Sequence, residues 1–141
     1  MTDAALVLQL LSALRDHVER VRRRRPDDVE TFRADIDVQD ALAMSLLVAT
    51  QQAIDVAFHI VSDEGWGVPS SYADAFALLA RRGVIEPSLA TELGRVAAVR
   101  HRIAHVYGTL DVERLWRQVP NGLDALERYA SAIARFLGER A

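Results

Sequence analysis

Apolar residues recur along this chain mostly at spacings of three and four, the period of an amphipathic α-helix. Thr2 or Asp3 can cap a first helix that reaches about Arg24, and Pro26 ends it. Residues 27–33 are expected to add a short helical turn. The pattern therefore predicts helix from the start of the chain.

The longest periodic stretch opens at Asp37 and reaches about Asp63. At 1.5 Å per residue this helix is about 40 Å long, a length that suits the central helix of a bundle. Its predicted inward face has eight positions: Ala41, Met44, Leu47, Val48, Gln51, Ile54, Phe58 and Val61. Asp55 and His59 interrupt the apolar pattern and, being four apart, share one face.

Shorter elements are predicted after this helix. Residues 62–72 form the clearest loop, and Ser70 or Ser71 can cap a short helix that ends near Gly83. Trp66 is expected to pack as a plug, with Tyr72 and Phe76 in the core. A helix from Pro87 to about Tyr107, a short helix over 111–118, a turn over 120–122 and a last helix over 123–137 complete the prediction.

Composition agrees with a helical protein. Half of the 141 residues are apolar and only 6% are aromatic, with seven glycines, a balance that favours helices over sheets. The length suits one hydrophobic core. We therefore expect one all-α domain spanning 1–141, an antiparallel helical bundle with a long central helix and extra short helices.

Charge and cysteine content argue against several classes of protein and of metal site. The absence of cysteine rules out a disulfide framework and a thiolate metal site. A net charge of −3 argues against coating nucleic acid by bulk electrostatics. The start of the chain lacks a basic signal-like region, and no fully apolar run approaches the roughly 18 residues of a membrane span, so we expect a cytoplasmic protein without a membrane partner.

The stretch RHRIAHVYG, residues 100–108, is the densest cluster of candidate chemistry. It lies within a locally basic region, because residues 95–117 hold five arginines against two acids. Arg100 and His105 are five residues apart, which on one ideal helix separates them by about 140° around the axis and roughly 7.5 Å along it. A two-fold dimer with facing motifs would bring both groups to one cleft.

Arginine and histidine together can cleave RNA without a metal. The guanidinium can stabilise the growing phosphate charge, and an imidazole can transfer protons near neutral pH. Two alternatives remain open on spacing alone. The residues can be exposed polar groups beside a core stripe, or His101 and His105 can share a zinc ion, although no third ligand is indicated.

The same stretch resembles the Arg-x4-His-x-Tyr motif of the HepT-like family in the HEPN superfamily, with Arg100, His105 and Tyr107 at the matching positions. Residues 41–85 are also similar to that family's long helix, loop and short helix. Together the similar regions span about 40–110.

This resemblance implies a homodimer that acts as a metal-independent endoribonuclease toxin and needs no cofactor. It implies a minimal nucleotidyltransferase as the antitoxin partner, RNA as the substrate and Tyr107 as the residue that the partner adenylylates. Arg100 and His105 would be catalytic, with His101, Tyr107 and Asp55 in support. AMP on Tyr107 would add negative charge and bulk to the RNA cleft.

One position departs from the family pattern. His101 follows the motif arginine, where asparagine is most common in such proteins. Asp55, on the long helix, is expected to take part in an ion pair, and His59 to be a hydrogen-bonded core or groove residue. The competing hypothesis is a non-catalytic helical module that binds a nucleotidyltransferase, which His101 and the acidic net charge would favour.

Overall fold

The computed structural model describes residues 1–106 and 111–140, with the backbone alone at residues 105 and 106. These residues form six helices and no strand: α1 (Ala4–Arg24), α2 (Val29–Ala34), α3 (Ile36–Asp63), α4 (Tyr72–Arg81), α5 (Pro87–Val106) and α6 (Val112–Glu139). The predicted all-α helical bundle is confirmed.

Short polar side chains set where most of the helices begin. The side chains of Asp3, Asp28, Asp35, Ser71 and Asp111 each accept a hydrogen bond from a backbone N–H in the first turn that follows. Asp35 opens α3 slightly before the predicted start at Asp37. After α4, Gly83 has a φ of +76°, the left-handed conformation that suits glycine after a helix.

The core lies around α3, against which α1, α4, α5 and α6 all pack. Phe76 is 1% exposed, as predicted for a core residue, and its ring meets that of Tyr129 edge to face at 5.5 Å. The buried Tyr129 hydroxyl donates to the Ala53 carbonyl oxygen at 2.9 Å, and burial raises the pKa of this phenol well above its usual value. This bond ties α6 to the middle of α3.

Burial along α3 corrects the predicted inward face. Of its eight positions only Ile54 and Val61 are buried, whereas Met44 is 60% exposed. The helix is apolar around most of its circumference, so the spacing of apolar residues could not select the face that meets the core. The opposite face, called here the outer stripe, is exposed or half-buried and comprises Met44, Leu47, Val48, Gln51, Asp55 and Phe58.

α3 is also the one described helix long and apolar enough to cross a membrane by length and composition. More than half of its most apolar window is buried inside the protein. Soluble proteins often bury such a helix in their core, and the packing of α1, α4, α5 and α6 around α3 identifies it as a core helix.

The predicted break over residues 120–122 is wrong, because α6 continues from Val112 to Glu139 with Pro120 inside it. Proline has no N–H to donate to the carbonyl four residues earlier, which belongs to Trp116. Arg25 supplies a donor from another element: its Nε lies 2.9 Å from the Trp116 oxygen. A tertiary contact thus satisfies the carbonyl that proline leaves free.

Candidate functional site

Arg100 lies near the C-terminal end of α5, three residues before the buried Ile103. At about 100° per residue it falls in line with the buried Leu93, Val96 and Ala97 of the preceding turns. The side chain is half-buried, and its Nε is fully covered by surrounding atoms. The fold therefore places a cation at the edge of the apolar interior.

One aromatic ring lies beside this cation. The Arg100 guanidinium carbon lies 5.9 Å from the centroid of the Tyr72 ring, within the range of a cation–π contact. Tyr72 in turn meets Phe58, on the outer stripe of α3, edge to face at 6.2 Å. The Tyr72 ring thus lies between the Phe58 ring of α3 and the guanidinium in a chain of contacts.

Tyr72 was predicted to be a core residue, and this prediction is wrong because the residue is 38% exposed. Tyr72 is the first residue of α4 and follows the Ser71 cap, so its ring lies at the edge of the bundle. Its contact with Arg100 was not foreseen. The only signal in the sequence was its place beside a loop cap, where an aromatic ring is free to reach a neighbouring helix.

Buried polar atoms without a hydrogen-bond partner occur on two helices that pack against each other. In the described part of the chain there are four, and three of them belong to Gln51 and Gln52 on α3 and to Arg100 on α5. The helices that carry them pack against each other. Such an unpaired group costs about 1–3 kcal/mol, so a bound ligand or second chain that paired them would gain free energy.

Asp55 takes a different partner from the ion pair that we expected. Its Oδ1 accepts a hydrogen bond from Gln51 Nε2 at 2.8 Å, one helical turn away on the outer stripe. Within the described residues it forms no salt bridge with Arg100. Asp55 thereby orients the Gln51 amide, and Arg100 has no ion-pair partner in the part of the chain that the structure describes.

The structure describes the histidines and tyrosine of the motif only in part. His101 is exposed on α5, on a different side of the helix from Arg100. The backbone of His105 belongs to α5, but its side chain lies outside the described residues, as does all of Tyr107. His59 is half-buried near the far end of the outer stripe.

The described side chains offer no ready metal site. Among residues 1–104 and 111–140, no group of three or more His, Asp or Glu side chains could hold a metal ion. The zinc alternative depends on His105, whose side chain is outside this set. What the described geometry does present is a permanent cation with unpaired hydrogen-bonding capacity, a group suited to a phosphate or carboxylate.

Solved structures first define the class, an all-α helical-bundle fold. The chain is similar to the Shewanella oneidensis HEPN toxin solved in tri-AMPylated form in complex with the MNT antitoxin, with a TM-score of 0.85, 24% identity and coverage of 96% of this chain and 99% of that one. The cytosolic protein of unknown function YutE from Bacillus subtilis shares the fold at a TM-score of 0.84 and 18% identity, over 99% and 93% of the two chains.

Sequence then identifies the family. Residues 14–133 match the Ribonuclease HepT-like family, and the chain belongs to it. The "mRNA nuclease HepT" of Shewanella oneidensis is 24% identical over 91% of this chain and 96% of its own length. The "tRNA nuclease HepT" of Aphanizomenon flos-aquae is 25% identical over 92% of this chain and 86% of its own.

Proposed function

We propose that this protein is a metal-independent endoribonuclease toxin whose catalytic residues are Arg100 and His105, brought together at the cleft of a homodimer. A nucleotidyltransferase antitoxin would silence it by adenylylating Tyr107. The observation that carries the proposal is Arg100 itself. In a member of the HepT-like family, the arginine at the motif position is half-buried, lies beside the Tyr72 ring and has no ion pair among the described residues.

The chemistry needs a proton carrier and a fixed positive charge. His105 would take the proton of a ribose 2′-hydroxyl, whose oxygen bonds to the adjacent 3′-phosphorus as the bond from phosphorus to the 5′-oxygen breaks. The 5′-oxygen leaves with a proton, and the products are a 2′,3′-cyclic phosphate and a 5′-hydroxyl. Arg100 would stabilise the charge that builds on the non-bridging oxygens. DNA lacks the nucleophile.

The outer stripe of α3 supports a homodimer. Met44 is 60% exposed, and half-buried Leu47, Val48 and Phe58 continue the same face. Contiguous apolar surface of this kind is typical of protein interfaces. A second copy packed across it would cover these residues, and Phe58 links the stripe to the Arg100 site through Tyr72.

Cleavage by the purified protein tests the proposal. RNA should be cut in EDTA by the wild type, and His105→Ala and Arg100→Ala should each lose at least about 100-fold in rate while keeping their helical content and unfolding midpoint. Arg128→Ala is the control, because Arg128 is an exposed arginine on α6, paired with Asp124. Full activity of the His105 variant would remove that residue from the mechanism.

A mixed dimer tests whether the site is shared. If Arg100 of one subunit works with His105 of the other, a heterodimer of Arg100→Ala and His105→Ala retains one intact site and about half of the wild-type activity. If each subunit works alone, both sites are broken and the mixture stays inactive. The two parent variants, assayed at the same concentration, provide the baseline.

Modification of Tyr107 is tested by coexpression with a nucleotidyltransferase encoded beside this chain. Intact mass should rise by one or more AMP units, and Tyr107→Phe should abolish the increase. Loss of RNA cleavage should follow the mass change, because the added phosphate repels the substrate. The site of action is proposed to be the cytoplasm, where RNA is available.

The binding-module hypothesis makes the opposite prediction. Neither the wild type nor Arg100→Ala would cut RNA, and both would bind the nucleotidyltransferase with equal affinity. That pair of results would replace the enzyme proposal.

A further inference from the structure

A groove of about 470 Å³ runs between α5 and the first half of α6. Its α5 rim residues Arg95 and Arg102 lie about 140° and 160° around the helix from Arg100. Its floor is apolar and comprises Leu46, Val96, Leu115 and Val119, none more than 7% exposed. Its rim is polar and comprises Arg95 and Arg102 of α5 with Arg114, Gln118 and Asn121 of α6. The volume lies within the range of small-molecule sites, about 300–1,000 Å³, and suits one nucleotide.

The rim is more basic than the protein as a whole. Glu92 is its one acidic residue, and that carboxylate is paired with Arg95 at 2.7 Å. Arg102 and Arg114 form no ion pair with any residue that the structure describes. Two uncompensated guanidinium groups thus face one groove on a chain whose net charge is −3. Guanidinium forks match the oxygens of a phosphate.

Helix geometry relates the groove to the proposed catalytic positions. At about 100° per residue, Arg102 lies about 200° around α5 from Arg100, while positions 101 and 105 lie at about 100° and 140°. The two histidine positions therefore occupy the sector between Arg100 and the groove. A polynucleotide that crosses the exposed side of α5 from Arg100 would pass this sector and reach Arg102 next.

We propose that this groove binds a nucleotide of the RNA substrate beside the scissile linkage, with Arg102 and Arg114 on a backbone phosphate and the base over the aliphatic floor. The inference rests on the proposed ribonuclease function and adds a binding subsite to it. RNA is favoured over an acidic protein segment because the groove shares α5 with Arg100 and continues the path past the histidine positions. The contacts would be mainly to the backbone, so they would position RNA rather than read its sequence.

Binding to an uncleavable RNA tests the groove directly. A 2′-O-methyl oligonucleotide has no free 2′-hydroxyl nucleophile, and fluorescence anisotropy gives its Kd over a range of salt concentrations. The double variant Arg102→Gln, Arg114→Gln should bind at least about tenfold more weakly. Its slope of log affinity against log salt should fall by about 0.7–1.4, since each phosphate contact to a single strand contributes roughly 0.7.

A matched control removes the same charge elsewhere. Arg117 and Arg128 are also on α6, but they lie outside the groove and pair with Glu113 and Asp124. The double variant Arg117→Gln, Arg128→Gln should change the Kd by less than about threefold, because only screened, longer-range attraction is lost. Equal weakening by the two double variants would overturn the inference, since the effect would then be one of net charge.

Two variants at Gly122 test the shape of the groove without changing its charge. A Cβ on Gly122 would lie 3.7 Å from Val96 Cγ2, an ordinary contact, so Gly122→Ala should bind RNA as the wild type does. Gly122→Leu adds bulk at a residue that lines the groove and should weaken binding. If Gly122→Leu does not fold, the arginine variants decide the question.

Kinetics separate this inference from the proposed function. In a cleaving enzyme the groove variants should raise KM about tenfold and change kcat less than twofold, as expected for lost uniform binding. If the groove variants cleave RNA with an unchanged KM, the binding subsite in the groove is rejected and the ribonuclease function stands. If the wild type cuts no RNA but binds RNA through the groove, the ribonuclease function is rejected and the groove proposal stands. Loss of nucleotidyltransferase binding with intact RNA binding would assign the groove to the partner and overturn the inference.

Discussion

Replacing Arg25 should reveal how α6 tolerates a proline in its interior. Three contacts join this region of the chain: Arg25 Nε donates to the Trp116 oxygen at 2.9 Å, the guanidinium carbon lies 4.1 Å from the Trp116 ring centroid, and Trp116 Nε1 donates to the Pro26 oxygen at 2.8 Å. Arg25→Ala removes the first two contacts and leaves the third. It also leaves the Trp116 carbonyl without its donor.

The expected cost follows from those two contacts. A hydrogen bond from a charged donor contributes about 1.5–3 kcal/mol, and a partly exposed cation–π contact about 0.5–1 kcal/mol. Arg25 is half-buried, so water can replace part of the lost hydrogen bond. We therefore expect the free energy of unfolding to fall by about 2 kcal/mol.

Restoring the backbone N–H that Pro120 lacks tests whether that missing donor is the reason for the Arg25 contact. In Pro120→Ala the amide of residue 120 can donate to the Trp116 carbonyl, so Arg25→Ala should then cost only about 1 kcal/mol, mostly from the lost stacking. Urea unfolding of the four proteins, with equal m-values, gives a coupling free energy of about 1 kcal/mol. The same cost of Arg25→Ala in both backgrounds would refute the explanation that arginine substitutes for the amide.

Three further predictions concern single side chains. Tyr129→Phe should lower the free energy of unfolding by about 1 kcal/mol in urea, because it removes the buried hydrogen bond to Ala53. Burial and nearby arginines lower the pKa of His17 from 6.5, so the folded protein favours the neutral imidazole. The free energy of unfolding should therefore be highest above pH 6.5 and fall as the pH drops below it, because the unfolded chain binds the proton more readily. His17→Gln should flatten this part of the stability curve, measured from pH 7.5 to pH 5. Tyr72→Leu should reduce kcat/KM about two- to fivefold by removing the ring beside Arg100, whereas Tyr72→Phe should restore it; equal loss in both would exclude the ring contact.

Local signals predicted the helix positions well, because capping is a local event. Asp3 and Ser71 accept first-turn hydrogen bonds where they were expected to, and Gly83 follows α4 in the left-handed conformation. The interior of α6 was mispredicted because the donor that compensates for Pro120 is Arg25, 91 residues before the carbonyl it reaches. No window along the sequence contains that contact.

The candidate site was predictable in part. Arg100 is identified by the motif, and the structure adds Tyr72 as its aromatic neighbour. The outer stripe of α3 was also visible in the sequence, but as a predicted core face. Periodicity recognises an apolar stripe without stating whether the partner that covers it is the same chain or another one.

The proposed homodimer would account for both the misassigned stripe and the unpaired polar atoms. Met44 is 60% exposed on α3, and Gln51, on the same stripe, holds a buried oxygen without a hydrogen-bond partner among the described residues. Exposed apolar surface and unsatisfied buried polar groups both cost free energy in an isolated chain, and a second copy could remove both costs at once. A Met44→Glu variant should therefore weaken dimerisation and RNA cleavage together while leaving the unfolding transition of the monomer nearly unchanged, because position 44 lies outside the core. Analytical ultracentrifugation and the cleavage assay measure both effects, and an active monomer would disprove the link between assembly and catalysis.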